Sequence, residues 1–309
     1  MIQTRHPQFK AYLALAFICF IWGTSWIASK QAVRDMPALQ MAGIRQIWAG
    51  MMYLIFFLAK GYALPRGRQW LPILFLAVIN FVLSNGLSTW GVKYISAGLG
   101  AIIGASFPLW LIILSLIRYN ERGSWLTWVG LILGFGGICI VFYDYLTDLL
   151  VPEFRFGIVI SVIAALSWTV GTIYTKEHAL QFNAYFAIGL QMLISGFVLT
   201  GYSWGTGDVI PIGSITLYTW LNITYLVILS SVLAFIAYLY ALQNLPTSLV
   251  SIYAYINPVV AVLIGGLFFG EKLNAVILSG AGVTLLGVYF VNAALRQRKL
   301  FFRPPRGRI

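Results

Sequence analysis

The chain has 309 residues, of which 60% are hydrophobic and only 9% are charged. A soluble domain would carry about 25% charged residues, so this composition excludes a water-soluble protein and indicates that most of the chain lies in lipid. The formal net charge is +12, but the basic residues fall in loops and at the C-terminal end, which favours an anionic membrane surface over nucleic acid as partner.

Ten apolar runs follow one another along the chain, each close to the roughly 20 residues that cross about 30 Å of hydrocarbon. The connections between them are short and leave no room for a soluble domain. The predicted spans are Ala11–Ser29, Ala38–Ala59, Trp70–Trp90, Ala97–Ile117, Trp125–Tyr143, Phe156–Thr175, Ala184–Tyr202, Ile215–Leu242, Ser248–Phe269 and Leu273–Ala294. The sequence therefore predicts an all-α integral membrane protein with ten transmembrane helices.

The distribution of lysine and arginine predicts the orientation. With both termini in the cytoplasm, fourteen of the 20 basic residues lie on the cytoplasmic side, as basic residues near membrane spans generally do. The predicted organisation is a cytoplasmic N-terminus, a first five-helix unit, a linker loop, a second five-helix unit and a basic cytoplasmic tail. These segments are residues 1–10, 11–143, 144–155, 156–294 and 295–309.

The second half of the chain repeats the first. The segment 94–122 reads YISAGLGAIIGASFPLWLIILSLIRYNER, and 150 positions later the segment 244–272 reads NLPTSLVSIYAYINPVVAVLIGGLFFGEK. Pro108 of the first copy aligns with Pro258 of the second. A proline inside an apolar helix removes a hydrogen bond and bends the helix, and membranes tolerate it where neighbours or cavity water satisfy the freed carbonyl group.

The repeat extends to the first spans of the two halves. Trp22 and Lys30 align with Trp168 and Lys176 at an offset of 146 residues, which becomes 150 from the third span onward. Each half has five spans, an odd number, so the two halves must enter the membrane from opposite sides. The sequence thus predicts two inverted five-helix repeats, an arrangement that in transporters places the substrate site between the halves.

These features resemble the EamA family of the drug/metabolite transporter superfamily. The resemblance rests on W-G-T-S-W at Trp22–Trp26 and on proline-bearing fourth and ninth spans that end in Glu121-Arg122 and Glu271-Lys272, and it covers roughly residues 11–294. It implies a multi-pass permease of the bacterial inner membrane, often an exporter of amino acids, other metabolites or drugs. It also implies a central cavity lined by spans one, three, four, six, eight and nine.

Polar and aromatic side chains in those spans are the candidates for the cavity wall. Each has a second interpretation, because such groups also pack against neighbouring helices or satisfy backbone groups. Pro108 and Pro258 are candidate hinges, with a static kink as the alternative. The cavity candidates are Trp22, Ser25, Trp26, Asn85, Ser88, Ser106, Trp110, Trp168, Thr172, Tyr238, Tyr255 and Asn257.

Three basic residues are possible charge contacts. Arg45 lies well inside the second span, where a charge costs on the order of 2.5–3.5 kcal/mol, so it should face protein or water. It either contacts an anion or carboxylate, or it is a structural residue that bonds to helix carbonyls or extends outward to the membrane surface. We favour the structural role because the resemblance leaves span two out of the cavity. Lys30 and Lys176 are either substrate contacts or anchors at the ends of spans, and we favour anchors.

The sequence has no P-loop, no metal-ligand cluster, no nucleophile elbow and no acidic residue deep within a span. We therefore expect no enzyme activity, no cofactor and no metal. The predicted function is a secondary carrier or facilitator for small metabolites that exports amino acids, related compounds or drugs by alternating access. The alternatives are a carrier of anionic metabolites such as sugar phosphates, or a membrane interaction protein that transports nothing. The expected partners are a small-molecule substrate and the lipid bilayer, and a monomer is plausible.

Overall fold

The computed structural model describes residues 6–119, 123–177, 182–245, 250 and 252–297. Every regular element in this part of the chain is a helix. Several predicted features lie outside it: the Glu121-Arg122 pair, the side chain of Lys176, and most of the two terminal segments.

Ten helical segments carry the fold, and they follow the predicted spans closely. Counted over the described residues, nine are long and apolar enough to cross a membrane, and the remaining apolar segment has 17 residues. The first helix is longer at both ends than the predicted span 11–29. The segments are α1 His6–Asp35, α2 Ala38–Ala59, α3 Gly67–Tyr94, α4 Ala97–Arg118, α5 Trp125–Tyr143, α6 Pro152–Glu177, α7 Ala184–Gly205, α8 Leu217–Asn244, α9 Tyr253–Phe269 and α10 Ala275–Gln297.

The two predicted kink positions differ in the structure. Helix α4 is interrupted at Ser106, between the α-helical pieces Ala97–Ala105 and Phe107–Tyr119. Pro108 is the second residue of the later piece, where its missing N–H is least costly. The Ser106 hydroxyl donates to the carbonyl of Ile103 at 2.6 Å. Pro258, in contrast, lies within the continuous helix α9.

Helices α3 and α8 each contain a π-helical segment near their middle. The segments are Ala77–Gly86 and Leu226–Leu233, and they overlap when the 150-residue offset of the repeat is applied. A π-helix bonds from residue i to i+5, which widens the helix and changes which carbonyl groups are bonded within it; such segments are rare and often occur at functional sites. The two halves therefore share the same irregularity at matching places.

Helices α2 and α7, which the repeat aligns with each other, pack closely through glycines. A methyl group built on Gly50 would lie 2.8 Å from the carbonyl oxygen of Gly189, and one built on Gly196 would lie 3.0 Å from that of Gly43. The N-terminal glycine of each helix contacts the C-terminal glycine of the other, so the two helices run antiparallel. Small residues allow this approach of the two backbones.

Helices α5 and α10 pair in the same way. A methyl group built on Gly287 would lie 2.6 Å from the carbonyl oxygen of Gly130, and one built on Gly137 would lie 2.6 Å from that of Gly280. This pair also runs antiparallel, again with an early glycine against a late one. Both glycine-based contacts thus join one half of the chain to the other.

Hydrogen bonds connect the loops at one end of the helix bundle. Gln40 donates to the carbonyl of Ile210 at 2.7 Å and accepts from its N–H at 3.0 Å. The hydroxyl of Thr219 donates to the carboxylate of Asp35 at 3.1 Å. These two contacts join the α1–α2 connection to the α7–α8 connection and so link the two halves.

The same end carries an exposed ion pair. The ammonium of Lys272 lies 2.8 Å from a carboxylate oxygen of Asp148, and the hydrogen bond between them raises the pKa of Lys272. A lysine whose pKa is raised in the folded state contributes stability that is fully present below its ordinary pKa of about 10.5, and that stability is lost only as the pH rises above this value. An exposed pair of this kind contributes at most about 1 kcal/mol. We call this end of the bundle, which also includes Glu271, the Glu271 end.

Candidate functional site

A cavity of about 190 Å³ lies at the centre of the helix bundle, between α1, α2, α3, α4, α6, α8 and α9. Seven of the twelve predicted cavity residues line it, together with Pro258 and Arg45. These seven are Trp22, Ser25, Trp26, Asn85, Ser88, Trp168 and Asn257. The lining is aromatic and hydroxyl-rich, and it draws on both halves of the chain.

The other five predicted cavity residues make contacts elsewhere. Trp110 donates its indole N–H to the hydroxyl of Ser106 at 3.1 Å, one turn away on the same helix. Tyr255 points toward α10, where its hydroxyl donates to the carbonyl of Val288 at 3.1 Å. Thr172 bonds the carbonyl of the preceding turn within α6, and Tyr238 packs against the ring of Trp22 at 5.2 Å between centroids.

Trp22 is held rigidly in the cavity wall. Its indole N–H donates to the carbonyl of Ser230, inside the π-helical segment of α8, at 3.2 Å. The rings of Phe235 and Tyr253 pack edge-on against it, at centroid distances of 5.3 and 5.0 Å. Such aromatic pairs contribute about 0.5–1.5 kcal/mol beyond their buried area, so this indole presents a fixed face.

Trp26, one turn further along α1, lies against the small residues of α4. A methyl group built on Gly104 would come within 2.9 Å of its ring, and one built on Gly100 within 3.1 Å. The glycines therefore create the space that this indole occupies. Sequence analysis did not connect these glycines with the tryptophan, because they belong to different spans.

Arg45 enters the cavity from α2, which differs from the expectation that span two stays out of it. Its side chain is only 6% exposed. The Nε group donates to the hydroxyl of Ser231 at 2.9 Å, and the Nη2 group donates to that of Ser230 at 3.2 Å. Arg45 therefore points inward and bonds to the π-helical segment of α8; it does not extend to the membrane surface.

The next residue, Gln46, bonds to the other π-helical segment. Its amide nitrogen donates to the carbonyl of Phe81 at 3.1 Å and to the side-chain oxygen of Asn85 at 3.2 Å, both in α3. Its oxygen accepts a hydrogen bond from Ser195 of α7. Two adjacent residues of α2 thus bond to the π-helical segments of both halves.

Asn257 satisfies backbone groups beside Pro258. Its amide, oriented with the nitrogen toward two carbonyl groups, donates to Tyr253 at 3.0 Å and to Cys19 of α1 at 2.9 Å. The second bond crosses from α9 to α1. The carbonyl that Pro258 frees is that of Ala254, four residues earlier, so these bonds do not replace the one that the proline removes.

Lys30 and Glu271 bind the backbone where α3 ends and α4 begins. The Lys30 ammonium donates to the carbonyls of Lys93 at 3.1 Å and Ile95 at 2.8 Å, which complements the negative end of α3. The Glu271 carboxylate accepts from the N–H groups of Ala97 at 2.6 Å and Gly98 at 2.9 Å, at the positive end of α4. Both charges therefore bind backbone groups at the α3–α4 connection.

Several residues that line the cavity were not predicted from the sequence, among them Ser161, Ser230 and Tyr253. Two adjacent serines in an apolar span, Ser230 and Ser231, are a weak signal of a polar surface. Ser230 also aligns with Asn80 in the repeat, which is another polar group in a span. The sequence contains no comparable signal for Tyr253.

Comparison with known proteins identifies the family. The sequence profile of the EamA-like transporter family matches residues 9–143 and again residues 155–293. The chain belongs to the EamA-like transporter family. This EamA-like protein is therefore a membrane transporter rather than an enzyme.

Relatives of this EamA-like transporter occur in several organisms. It is 30% identical to the inner membrane transporter YedA of Escherichia coli K12, over 92% of this chain and 90% of that protein. It is 27% identical to the transporter YvbV of Bacillus subtilis, over 95% of each chain. A solved crystal structure with 15% sequence identity and a TM-score of 0.64 covers 94% of this chain and 99% of its own, which shows a shared fold.

Proposed function

We propose that the protein is a secondary carrier that exports small metabolites, such as amino acids or related compounds, across a bacterial inner membrane by alternating access. The observation that carries this proposal is the central cavity, which both halves line with aromatic rings and hydroxyl groups. Its volume of about 190 Å³ corresponds to roughly six water molecules at about 30 Å³ each, the scale of a small metabolite. Carriers of this type bind substrate between their halves, near the middle of the membrane.

An inverted repeat of two five-helix halves, with α9 as a tenth membrane span, supports this mechanism. In a two-fold arrangement, residue i of one copy contacts residue j of the other while j contacts i. The contacts of Gly43 with Gly196 and of Gly50 with Gly189 have this reciprocal form, since the repeat aligns Gly43 with Gly189 and Gly50 with Gly196. The glycines of α5 and α10 follow the same rule.

Both termini are proposed to be cytoplasmic, on the basis of the lysine and arginine distribution. The Glu271 end of the bundle then faces the periplasm. Its loops are joined across the halves by Gln40 and Ile210, by Asp35 and Thr219, and by Glu271 and the start of α4. We propose that these contacts form the periplasmic gate, which opens when the halves rock apart.

Counterflow in proteoliposomes tests the carrier function. Proteoliposomes that contain the protein would be loaded with one unlabelled amino acid or organic acid from a panel. Uptake of the same compound in labelled form would then be measured. Counterflow is driven by the unlabelled compound inside and requires no ion or voltage gradient, so it detects a carrier whose coupling is unknown. We expect exchange of at least one compound above the level of empty vesicles.

Truncating the cavity wall should weaken that exchange. Trp168→Ala is expected to raise the half-saturating concentration roughly tenfold, because losing about 1.4 kcal/mol of aromatic contact weakens binding by that factor. Trp125→Ala is the matched control, since Trp125 is 80% exposed on the outside of the bundle. Equal effects of the two substitutions would argue against this cavity as the transport site, and no exchange of any compound would argue against a carrier.

A further inference from the structure

The cavity contains one positive charge and no negative charge among the residues that line it. We propose that the cavity binds its substrate through a carboxylate group held by Arg45, an inference that rests on the carrier function proposed above. The arginine has hydrogen-bonding capacity to spare, its charge is uncompensated, and the rest of the lining suits an apolar body.

The guanidinium group of Arg45 is only partly used by the protein. An arginine has five N–H donors. One donor on Nε binds Ser231 and one on Nη2 binds Ser230, which leaves three without an acceptor among the described residues. The two serine hydroxyls hold the group in place at the cavity surface. A planar guanidinium presented in this way matches the two oxygens of a carboxylate, to which arginine commonly binds in a bidentate manner.

The charge of Arg45 has no acidic partner in the part of the chain that the structure describes. Serine hydroxyls orient a guanidinium but do not neutralise it. The acidic side chains that the structure describes all lie at helix ends or in the connections: Asp35, Asp144, Asp148, Glu153, Asp208 and Glu271. An unpaired charge inside a membrane protein is costly and generally marks a substrate or ion path. An anionic substrate would supply the missing partner.

The remainder of the lining favours a monocarboxylate with a small apolar body. A single positive charge is balanced by a single negative one, whereas a phosphate dianion would leave the cavity with excess negative charge. The rings of Trp22, Trp26 and Trp168 line the cavity and offer apolar faces. An α-amino acid also fits, because an ammonium group can rest on an indole face. The carboxylate is the feature that all of these ligands share.

The test compares matched acids and amides on purified protein. The probes are 4-methylpentanoate with 4-methylpentanamide, leucine with leucinamide, and inorganic phosphate. Binding is measured by tryptophan fluorescence and by thermal stabilisation. For the wild type we expect each acid to bind at least tenfold more tightly than its amide. For Arg45→Gln, which places the residue of the aligned position 191 at position 45, we expect that preference to disappear.

Tyr53→Phe is the control that separates substrate binding from helix packing. The Tyr53 hydroxyl donates to the carbonyl of Val232 at 2.9 Å, in the same π-helical segment that Arg45 binds, but Tyr53 does not line the cavity. This variant should keep the preference for acids. If Arg45 only stabilises that segment, both variants will lower the melting temperature and neither will change the ratio of acid to amide affinity.

Several outcomes would overturn the carboxylate site. They are equal binding of acids and amides by the wild type, no binding of either acid, tighter binding of phosphate than of both acids, and an acid preference that Arg45→Gln retains. If Arg45→Gln does not fold, the comparison of acid and amide binding by the wild type still tests the carboxylate site. Counterflow of neutral compounds with no preference for acids would support the carrier function and contradict the carboxylate site. Carboxylate binding lost in Arg45→Gln, but without counterflow, would reject the carrier and keep the site.

Discussion

Gly287→Ala is expected to lower the apparent melting temperature of the detergent-solubilised protein by about 2–5 °C and to abolish transport. A methyl group at this position would lie 2.1 Å from the backbone nitrogen and 2.4 Å from the Cα atom of Gly134. Because both obstacles are backbone atoms, no side chain can rotate away and α5 and α10 must separate. Overpacking of a tight contact typically costs about 1–3 kcal/mol. With an unfolding entropy of about 2.1 cal/mol/K per residue, each kcal/mol lowers the melting temperature of a 309-residue chain by roughly 1.5 °C.

Gly282→Ala is the matched control, because it makes the same change five residues earlier on the same helix. A methyl group at Gly282 meets nothing within 4 Å, and alanine is the better helix former. Its melting temperature should equal or exceed that of the wild type. Equal melting temperatures for the two alanine variants would show that α5 and α10 do not depend on this contact.

Glu271→Gln is expected to destabilise the Glu271 end and to open the cavity from that side. The carboxylate accepts hydrogen bonds from Ala97 and Gly98 with its two oxygens. Glutamine has one oxygen, so one N–H at the start of α4 would lose its partner at a cost of about 1–3 kcal/mol. The interaction of a negative charge with the helix N-terminus would be lost as well.

The opening can be measured by cysteine labelling in intact cells. Ser88 lines the cavity. Ser88→Cys would be introduced into a cysteine-free variant, in which Cys19 is replaced by alanine and Cys139 by serine. Glu271→Gln should increase the rate at which a membrane-impermeant maleimide labels this cysteine from outside. Asp148→Asn, which removes only the exposed pair with Lys272 at the same end, should leave the rate unchanged. An unchanged rate in Glu271→Gln would mean that this contact is not part of the gate.

The helices could be predicted from sequence, but the direction in which their side chains point could not. Tyr255 and Asn257 were both predicted to line the cavity. Two residues apart on a helix, they project about 200° apart, so the same helix cannot direct both inward. Asn257 lines the cavity, while Tyr255 bonds to α10. Only the packing of α9 against its neighbours decides which of the two faces the cavity.

Ser106 and Trp110 illustrate a second limit. They were predicted to offer polar groups to a substrate, but residues at i and i+4 share a helix face and can bond to each other, as these two do. For Arg45, hydropathy indicates a charge inside a span but not the rotation of α2 about its axis. The π-helical segment of α8 supplies both serine partners of Arg45. Like its counterpart in α3, it depends on a shift in backbone hydrogen bonding that residue types do not encode.

The pairing of α5 with α10 also bears on the order in which the protein assembles during synthesis. Gly130 and its partner Gly287 are separated by more than half of the chain. At about 5–20 residues per second, the ribosome needs roughly 8 to 30 s to reach position 287 after position 130. During that interval the glycine face of α5 is in the membrane without its partner helix. A chain that terminates before α10 would leave this face permanently uncovered and available to quality-control proteases.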